Sequence, residues 1–375
     1  MARRRRIKLK PMMKLLAFLL IVIIVILLCL SINNISKEET TEVFNEKENK
    51  LSLIMAGDAL IHSSVYDDAY EDGKYNFDKI LTLIKPIVKE HDLAFYNQET
   101  ILGGTSLGLS SYPAFNSPQE VGEAFTNAGF NLVSLANNHT LDIGKKGVIS
   151  SNNYWKTKKD VLTSGSYNTK KERDNIKIKE VNGIKYTLLA YTTTTNGIKP
   201  SNDYYVNVYD EGQVKKDIDM VKDKVDLLLV SMHWGTEYSL EVNKEQEDIA
   251  KYLSSLGVNI IIGHHPHVIE PIDYINDTLV IYSLGNFISG QSGLDRRIGM
   301  MVSVDIEKNN NEISISKPKV TLTYTYYKEK NVKYDFKIYP FNKLNNNLLK
   351  GYKIYYNDYI DIISSKTKEI EFQPV

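Results

Sequence analysis

The sequence predicts a layered α/β protein with a β-rich C-terminal extension, preceded by one transmembrane helix. Three observations predict it. Between Leu51 and about Gly299, apolar runs alternate with segments of helical spacing, the pattern of strands and helices stacked in layers. Six of the seven histidines sit where such a run ends. Leu15–Ile32, a charge-free and almost wholly aliphatic run of about 18 residues, is near the lower limit for a membrane-spanning helix.

At the N-terminus, Arg3, Arg4, Arg5, Arg6, Lys8, Lys10 and Lys14 come with no acid among residues 1–32. This bias holds residues 1–14 in the cytoplasm and puts the chain beyond Ile32 outside the cell membrane, as a single-pass protein. A cleaved signal peptide has a shorter apolar core of ~7–15 residues and an Ala-x-Ala-like site, absent here. A lipoprotein signal has a small residue before its cysteine, whereas Leu28 precedes Cys29. An uncleaved signal anchor over 15–32 is therefore expected. Cys29 is the only cysteine, so the exterior part has neither a disulfide nor a thiol nucleophile. Residues 33–50 are polar and read as a solvated spacer.

Formal net charge is zero, with 46 basic and 46 acidic side chains. Without the N-terminal cations the remainder has 39 basic against 46 acidic residues, which excludes a nucleic-acid binder on charge grounds.

In chain order, Leu51–Met55 reads as a strand ending in Gly57-Asp58, with His62 just beyond. Leu81–Val88 has helical spacing. Leu93–Phe95 comes next, with Asn97 and Glu99 on one face of an extended segment. Glu120–Asn127 reads as a helix before the strand Leu132–Leu135, which ends in Ala136-Asn137-Asn138-His139. Leu227–Val230 ends in Ser231-Met232-His233-Trp234-Gly235, with Glu237 close behind. The helix Gln246–Leu256 precedes Val258–Ile262, which stops at Gly263-His264-His265-Pro266-His267. Thr278–Leu284 ends in Gly285-Asn286-Phe287. These runs read as strands of one sheet, whose carboxyl ends bring the polar groups together. Beyond residue 300, strands are expected over Met300–Ile306, Glu312–Ile315, Val320–Tyr327 and Tyr334–Tyr339, then a helix within Leu344–Ser365. Asp67, Asp68, Glu71 and Asp72 read as a solvated helix face.

Imidazoles and carboxylates around one cleft are what a transition-metal site requires. His265 and His267 are expected to point into that cleft and His264 elsewhere. His233 is either a ligand or a satisfied core residue. Asp58 either binds a cation or caps the next helix. Glu99 is placed to bridge two cations. Asn138 offers an amide oxygen, and His139 an imidazole that can act as a general acid or bind an anionic oxygen. Arg296-Arg297 is either an anion-binding patch or an ordinary solvated turn. There is no Gly-x-Ser-x-Gly elbow and no Walker-type phosphate loop.

Six motifs in one order carry a resemblance. Gly57-Asp58-Ala59-Leu60-Ile61-His62, Asn97-Gln98-Glu99-Thr100, Ala136-Asn137-Asn138-His139, His233-Trp234-Gly235-Thr236-Glu237-Tyr238, Gly263-His264-His265-Pro266-His267 and Ser283-Leu284-Gly285-Asn286-Phe287 resemble the CapA family of capsule-synthesis proteins. That family is associated with poly-γ-glutamate and looks like a divergent branch of the calcineurin-like metallophosphoesterases. The resemblance covers about residues 51–300, leaving 301–375 as the β-rich extension. It implies a four-layer α-β-β-α sandwich, built on two mixed sheets, with a site for two divalent metal ions at the strand ends. By motif, Asp58, Asn138, His233, His265 and His267 match metal ligands, and His139 matches the catalytic histidine that assists the leaving group. Glu99 stands by position for the bridging carboxylate. Leu60 occupies the place of a usual histidine, with His62 too far along to replace it without a bend. His62, Asn97, Glu237 and Asn286 are supporting candidates, and Arg296 and Arg297 are candidates for binding substrate.

Three functions are expected on these grounds. The first is a membrane-anchored, metal-dependent hydrolase-like protein serving synthesis, export or anchoring of an anionic capsule polymer, poly-γ-glutamate by resemblance, beside other capsule-synthesis membrane proteins. The second is a non-catalytic polymer-binding or assembly subunit, which the missing histidine at Leu60 favours. The third, an extracellular phosphodiesterase or nucleotidase, rests on superfamily analogy alone.

Overall fold

The computed structural model describes residues 11–38, 49–310, 312–328 and 334–375. They fall into two units, one within Met1–Glu48 and the other Asn49–Val375.

In the first unit a helix, α1, runs over Pro11–Glu38. Among the described residues no helix is long and apolar enough to cross a membrane, so the expected transmembrane helix is not supported. The described aliphatic side chains of α1, from Leu15 to Leu28, are nevertheless exposed. The expected cytoplasmic segment lies outside the described residues up to Lys10. The expected spacer does so over residues 39–48.

The second unit is a sandwich. Its main strands, in chain order, are β1 (Lys50–Leu60), β2 (Leu93–Asn97), β3 (Leu132–Ser134), β4 (Leu162–Ser164), β5 (Lys179–Val181), β6 (Ile184–Thr192), β7 (Leu227–His233), β8 (Ile260–His264), β9 (Ile272–Ile275), β10 (Thr278–Ile281), β11 (Asn286–Ser289), β12 (Ile298–Asn309), β13 (Lys319–Tyr326) and β14 (Lys337–Pro340). Its main helices are α2 (Ser63–Ala69), α3 (Glu120–Ala128), α4 (Gly144–Lys156), α5 (Glu211–Val221), α6 (Lys244–Ser255) and α7 (Tyr352–Ile363).

One sheet runs β14-β13-β12-β1-β2-β3-β4, with β11 also paired to β1, and the other runs β9-β10-β8-β7-β6-β5. The expectation of one sheet is thereby corrected to two. β1, β2 and β3 belong to the first, and β7, β8 and β10 to the second. A continuous apolar run says that a strand is buried on both faces, not which sheet it joins.

The layers arise from period-two alternation. Leu53, Met55, Phe95 and Leu132 of the first sheet share one apolar cluster with Leu227, Leu229, Ile260 and Ile262 of the second. Their neighbours point outward. Ile54, Ala94 and Val133 pack with Val65, Val121 and Phe125 of α2 and α3. Leu228, Val230 and Ile261 pack with Val214, Ile218, Ile249 and Leu253 of α5 and α6. Each fully buried aliphatic side chain contributes about 1.5–3 kcal/mol of transfer free energy. The arrangement is the expected α-β-β-α order.

Several local expectations change. Only Lys85–Val88 of the expected helix at 81–88 is α-helical. Pro86 cannot donate to a preceding turn, and three-residue turns with bonds such as Ile84 N–H to Leu81 O lead into it. The C-terminal helix covers Tyr352–Ile363 only. The boundary placed at residue 300 falls inside β12, which pairs antiparallel with β1 from Lys50↔Glu307 to Met55↔Val302. Asp68 is not on a solvated face. It is 1% exposed and accepts the backbone N–H groups of Tyr334, Asp335 and Phe336.

Candidate metal centre

Four strand ends converge. β1 carries Asp58 past a register shift between Met55 and Asp58 in its pairing with β2, and such a bulge re-aims a side chain. Gly57 makes the bulge possible: a Cβ there would lie 1.8 Å from Gly285 O. β2 delivers Asn97 and then Glu99. β7 ends at His233, in register with His264 at the end of β8. Gly263 has the same constraint as Gly57, since a Cβ would sit 1.9 Å from Tyr282 O.

The turn after β8 is strained. His265 and His267 have φ of 99° and 61°, left-handed values that cost a residue with a Cβ about 1–3 kcal/mol each. That conformation turns both rings toward Asp58 and Glu99. It is the bend that lets two histidines separated only by Pro266 serve one cleft.

Three carboxylate–imidazole groups result, each with ligand atoms within 4.8 Å of one another: Glu99, His233 and His265; Asp58, Glu99 and His267; and Glu237, His265 and His267. Glu99 belongs to two of them. Its Oε1 lies 3.7 Å from His233 Nε2 and 3.7 Å from His267 Nε2. Both oxygens are buried and neither accepts a hydrogen bond. A carboxylate in that position costs several kcal/mol unless a cation compensates it. Together with the imidazoles around it, this donor set fits divalent cations.

Around the ligands is a polar shell. Asn97 donates through Nδ2 to Asp58 Oδ1 at 2.8 Å, and that nitrogen lies 3.4 Å from His233 Nδ1. Asn138 Oδ1 is 3.0 Å from His233 Nε2. Asn286 Oδ1 is 3.1 Å from His267 Nδ1, while its Nδ2 donates to Gln291 Oε1 and Arg296 O. Such contacts set ring orientation and tautomer.

Charge is set by burial and neighbours. Burial pushes Glu99 well above the usual carboxylate range. His267 moves the other way from a buried histidine: burial lowers it, but Glu99 and Asp58 outweigh that and raise it to about 9. Asp58 is lowered, burial being overcome by the contact with His267 and the charges of His264 and His267. Burial, reinforced by the neighbouring imidazoles, holds His233 well below its ordinary value. His265 falls to about 4, again by burial first and then by the charge of His267.

His139 sits beside these groups. Its Nδ1 is 2.7 Å from Asp142 Oδ2, which also accepts the Phe115 N–H at 2.6 Å. Asp142 is absent from the candidates read off the sequence, although a carboxylate three residues after the histidine is a signal that could find it. His264 does avoid the cleft's three groups. It stacks on Phe95 with centroids 5.3 Å apart, yet its Nδ1 is 3.6 Å from Asp58 Oδ1.

The structure does not bring every candidate in. His62 stays outside the three groups, with Nδ1 3.1 Å from Leu60 O and 3.2 Å from the Gly290 N–H, its ring against Phe115. Leu60 is buried and offers no donor. Glu237 is brought in, although it is exposed at the rim: it belongs to the third group, with His265 and His267. The two arginines part company. Arg296 lies over the Tyr238 ring at 4.6 Å, and that ring's centroid is 6.0 Å from that of His267. Arg297 is engaged by Tyr324, Tyr327 and Thr325 O, so the pair does not form one patch.

Comparison with known proteins gives consistent relatives. The family described as "Bacterial capsule synthesis protein PGA_cap" matches residues 52–291. The chain is 27% identical over 288 residues to the PGA biosynthesis protein CapA of Bacillus subtilis (strain 168), covering 73% of this chain and 72% of that one. It is 27% identical over 295 residues to the capsule biosynthesis protein CapA of Bacillus anthracis, covering 74% and 70%. Among solved structures it is similar to the calcineurin-like phosphoesterase YfkN from Bacillus subtilis, with a TM-score of 0.43 and 14% identity over 73% of this chain and 90% of that one.

Proposed function

This chain belongs to the bacterial capsule synthesis protein family PGA_cap, and on that premise we propose that it is a metal-dependent hydrolase-like protein of capsule polymer biosynthesis. The observation that carries the proposal is Glu99: a buried carboxylate without a hydrogen bond, shared between two groups of candidate ligands.

Residues Glu99, His233 and His265, with Asn138 beside them, would hold one divalent cation, and Asp58, Glu99 and His267 a second. Such ions, when bound, lower the pKa of a water and stabilise charge on the attacked group. The remaining work falls to the chain. Asn97 fixes Asp58, and Asn286 fixes the His267 ring. Asp58, Glu99, His233 and His267 are themselves buried, which keeps bulk water from the base of the cleft. Asp142 anchors His139 through Nδ1, which leaves Nε2 to give a proton to a leaving group. At the rim, Arg296 on Tyr238 is placed to receive an anionic group of the substrate.

The names of the relatives support poly-γ-glutamate as the polymer. Anchoring at a membrane, with the main unit outside and other capsule-synthesis membrane proteins as partners, belongs to the same proposal. Its support is the seven cations before the charge-free run Leu15–Ile32. Alkaline carbonate extraction of cell membranes tests it: the protein should remain in the pellet, and release into the supernatant would refute the anchor.

The catalytic part is tested by assaying the purified protein on a γ-linked glutamate oligomer and on a phosphodiester, with and without chelator. Chelator-sensitive turnover of either supports hydrolysis. Turnover of neither favours the second reading, a polymer-binding or assembly subunit, for which the donor-free Leu60 speaks.

A further inference from the structure

Away from the cation centre, a cleft of about 350 Å³ opens beside β4, the outer strand of the first sheet. Its floor is apolar, built from Trp155, Leu162 and Leu188, and its rim carries Lys156, Lys158, Lys159 and Lys177 against the single carboxylate of Glu172. That carboxylate is taken by Lys156 at 2.7 Å, and Lys158 pairs with Glu123. Among the described residues no carboxylate pairs with Lys159 or Lys177, so the rim has cationic capacity to spare.

Two groups in the cleft ask for amide partners. Trp155 is 3% exposed, yet its indole N–H has no acceptor. Thr163 lies in the middle of β4. Leu162 N–H reaches Asn131 O and Ser164 O accepts from Leu135 N–H, both on the β3 side. By alternation along a strand, Thr163 turns its own N–H and C=O to the unpaired edge.

We propose that this cleft binds a short stretch of an acidic, amide-linked chain. Methylene groups would lie on Trp155 and Leu188, a carbonyl would accept from the indole N–H, an amide would pair with Thr163, and carboxylates would reach Lys159 and Lys177. In its choice of polymer the inference rests on the proposed function, but none of its residues belongs to the cation centre. Ser166 lines both this cleft and a void of about 10 Å³ that reaches Glu99, so the cleft backs onto that centre. It also answers a difficulty of charge. Outside the N-terminus the chain is net acidic, and a local basic rim is what an anionic polymer needs to approach it.

The test is calorimetric titration of the full chain with a γ-linked glutamate oligomer, accompanied by tryptophan fluorescence. Of the two tryptophans only Trp155 lines the cleft. Binding should change the emission, and the Lys159→Gln/Lys177→Gln variant should bind at least tenfold more weakly while keeping wild-type cation content. Trp155→Phe should also weaken binding. Alginate, acidic but without amides, should bind at least tenfold more weakly than the oligomer. Wild-type affinity in both the lysine and the Trp155→Phe variants would overturn the inference, as would equal affinity for alginate. If the oligomer binds with this pattern but neither it nor a phosphodiester is turned over, the hydrolase reading fails and the cleft stands.

Discussion

His267 Nε2 stands 3.7 Å from Glu99 Oε1, and both side chains are buried. The pair has a consequence for pH. Without a cation, Glu99 and Asp58 raise His267 to about 9 against the effect of burial, so at neutral pH its ring carries a proton that a cation must displace. Apparent cation affinity should therefore rise with pH up to about 9, and fall by up to about tenfold per unit below it. Calorimetry of metal-free protein in buffers of different ionisation enthalpy should show proton release on binding at about pH 7.5. An enthalpy independent of buffer would contradict the assignment.

His265→Ala and His267→Ala should each sharply reduce cation occupancy while the far-ultraviolet circular dichroism stays unchanged. Alanine has a Cβ as histidine does, so the left-handed turn is no more strained than before. Wild-type occupancy in both variants would move the centre elsewhere.

His139→Ala and Asp142→Asn should keep the cations and lower turnover, by about 10²–10⁴-fold for a lost general acid. Asp142→Asn replaces the carboxylate that holds the His139 ring at 2.7 Å with an amide that accepts more weakly. Loss of cations in His139→Ala would make that histidine a ligand.

Much of this centre is legible from the strand ends. A buried apolar run ending at Asp58, Asn138, His233 or His265 says where a polar group leaves the core, and these residues do meet. Position in the second sheet is not legible, because Leu227–Val230 and Val258–Ile262 are equally apolar on both faces. Arg296 and Arg297 look alike in sequence, and only the placement of Tyr238, Tyr324 and Tyr327 separates them. Asp68 reads as solvated for a similar reason. Its partners lie more than 260 residues away, where no local pattern could show them.

Asp68→Ala should leave three backbone N–H groups without their acceptor and destabilise the protein by about 2–4 kcal/mol. A urea midpoint within about 0.5 kcal/mol of wild type would show those bonds to be dispensable.

The most direct measurement is the cation count per chain, by mass spectrometry of metals after dialysis, in the wild type and in Glu99→Gln. Because Glu99 belongs to two ligand groups, the wild type should hold two divalent cations per chain, and the variant should lose both or hold them far more weakly. No cation in the wild type, or two retained in Glu99→Gln, would contradict a centre built on that shared carboxylate.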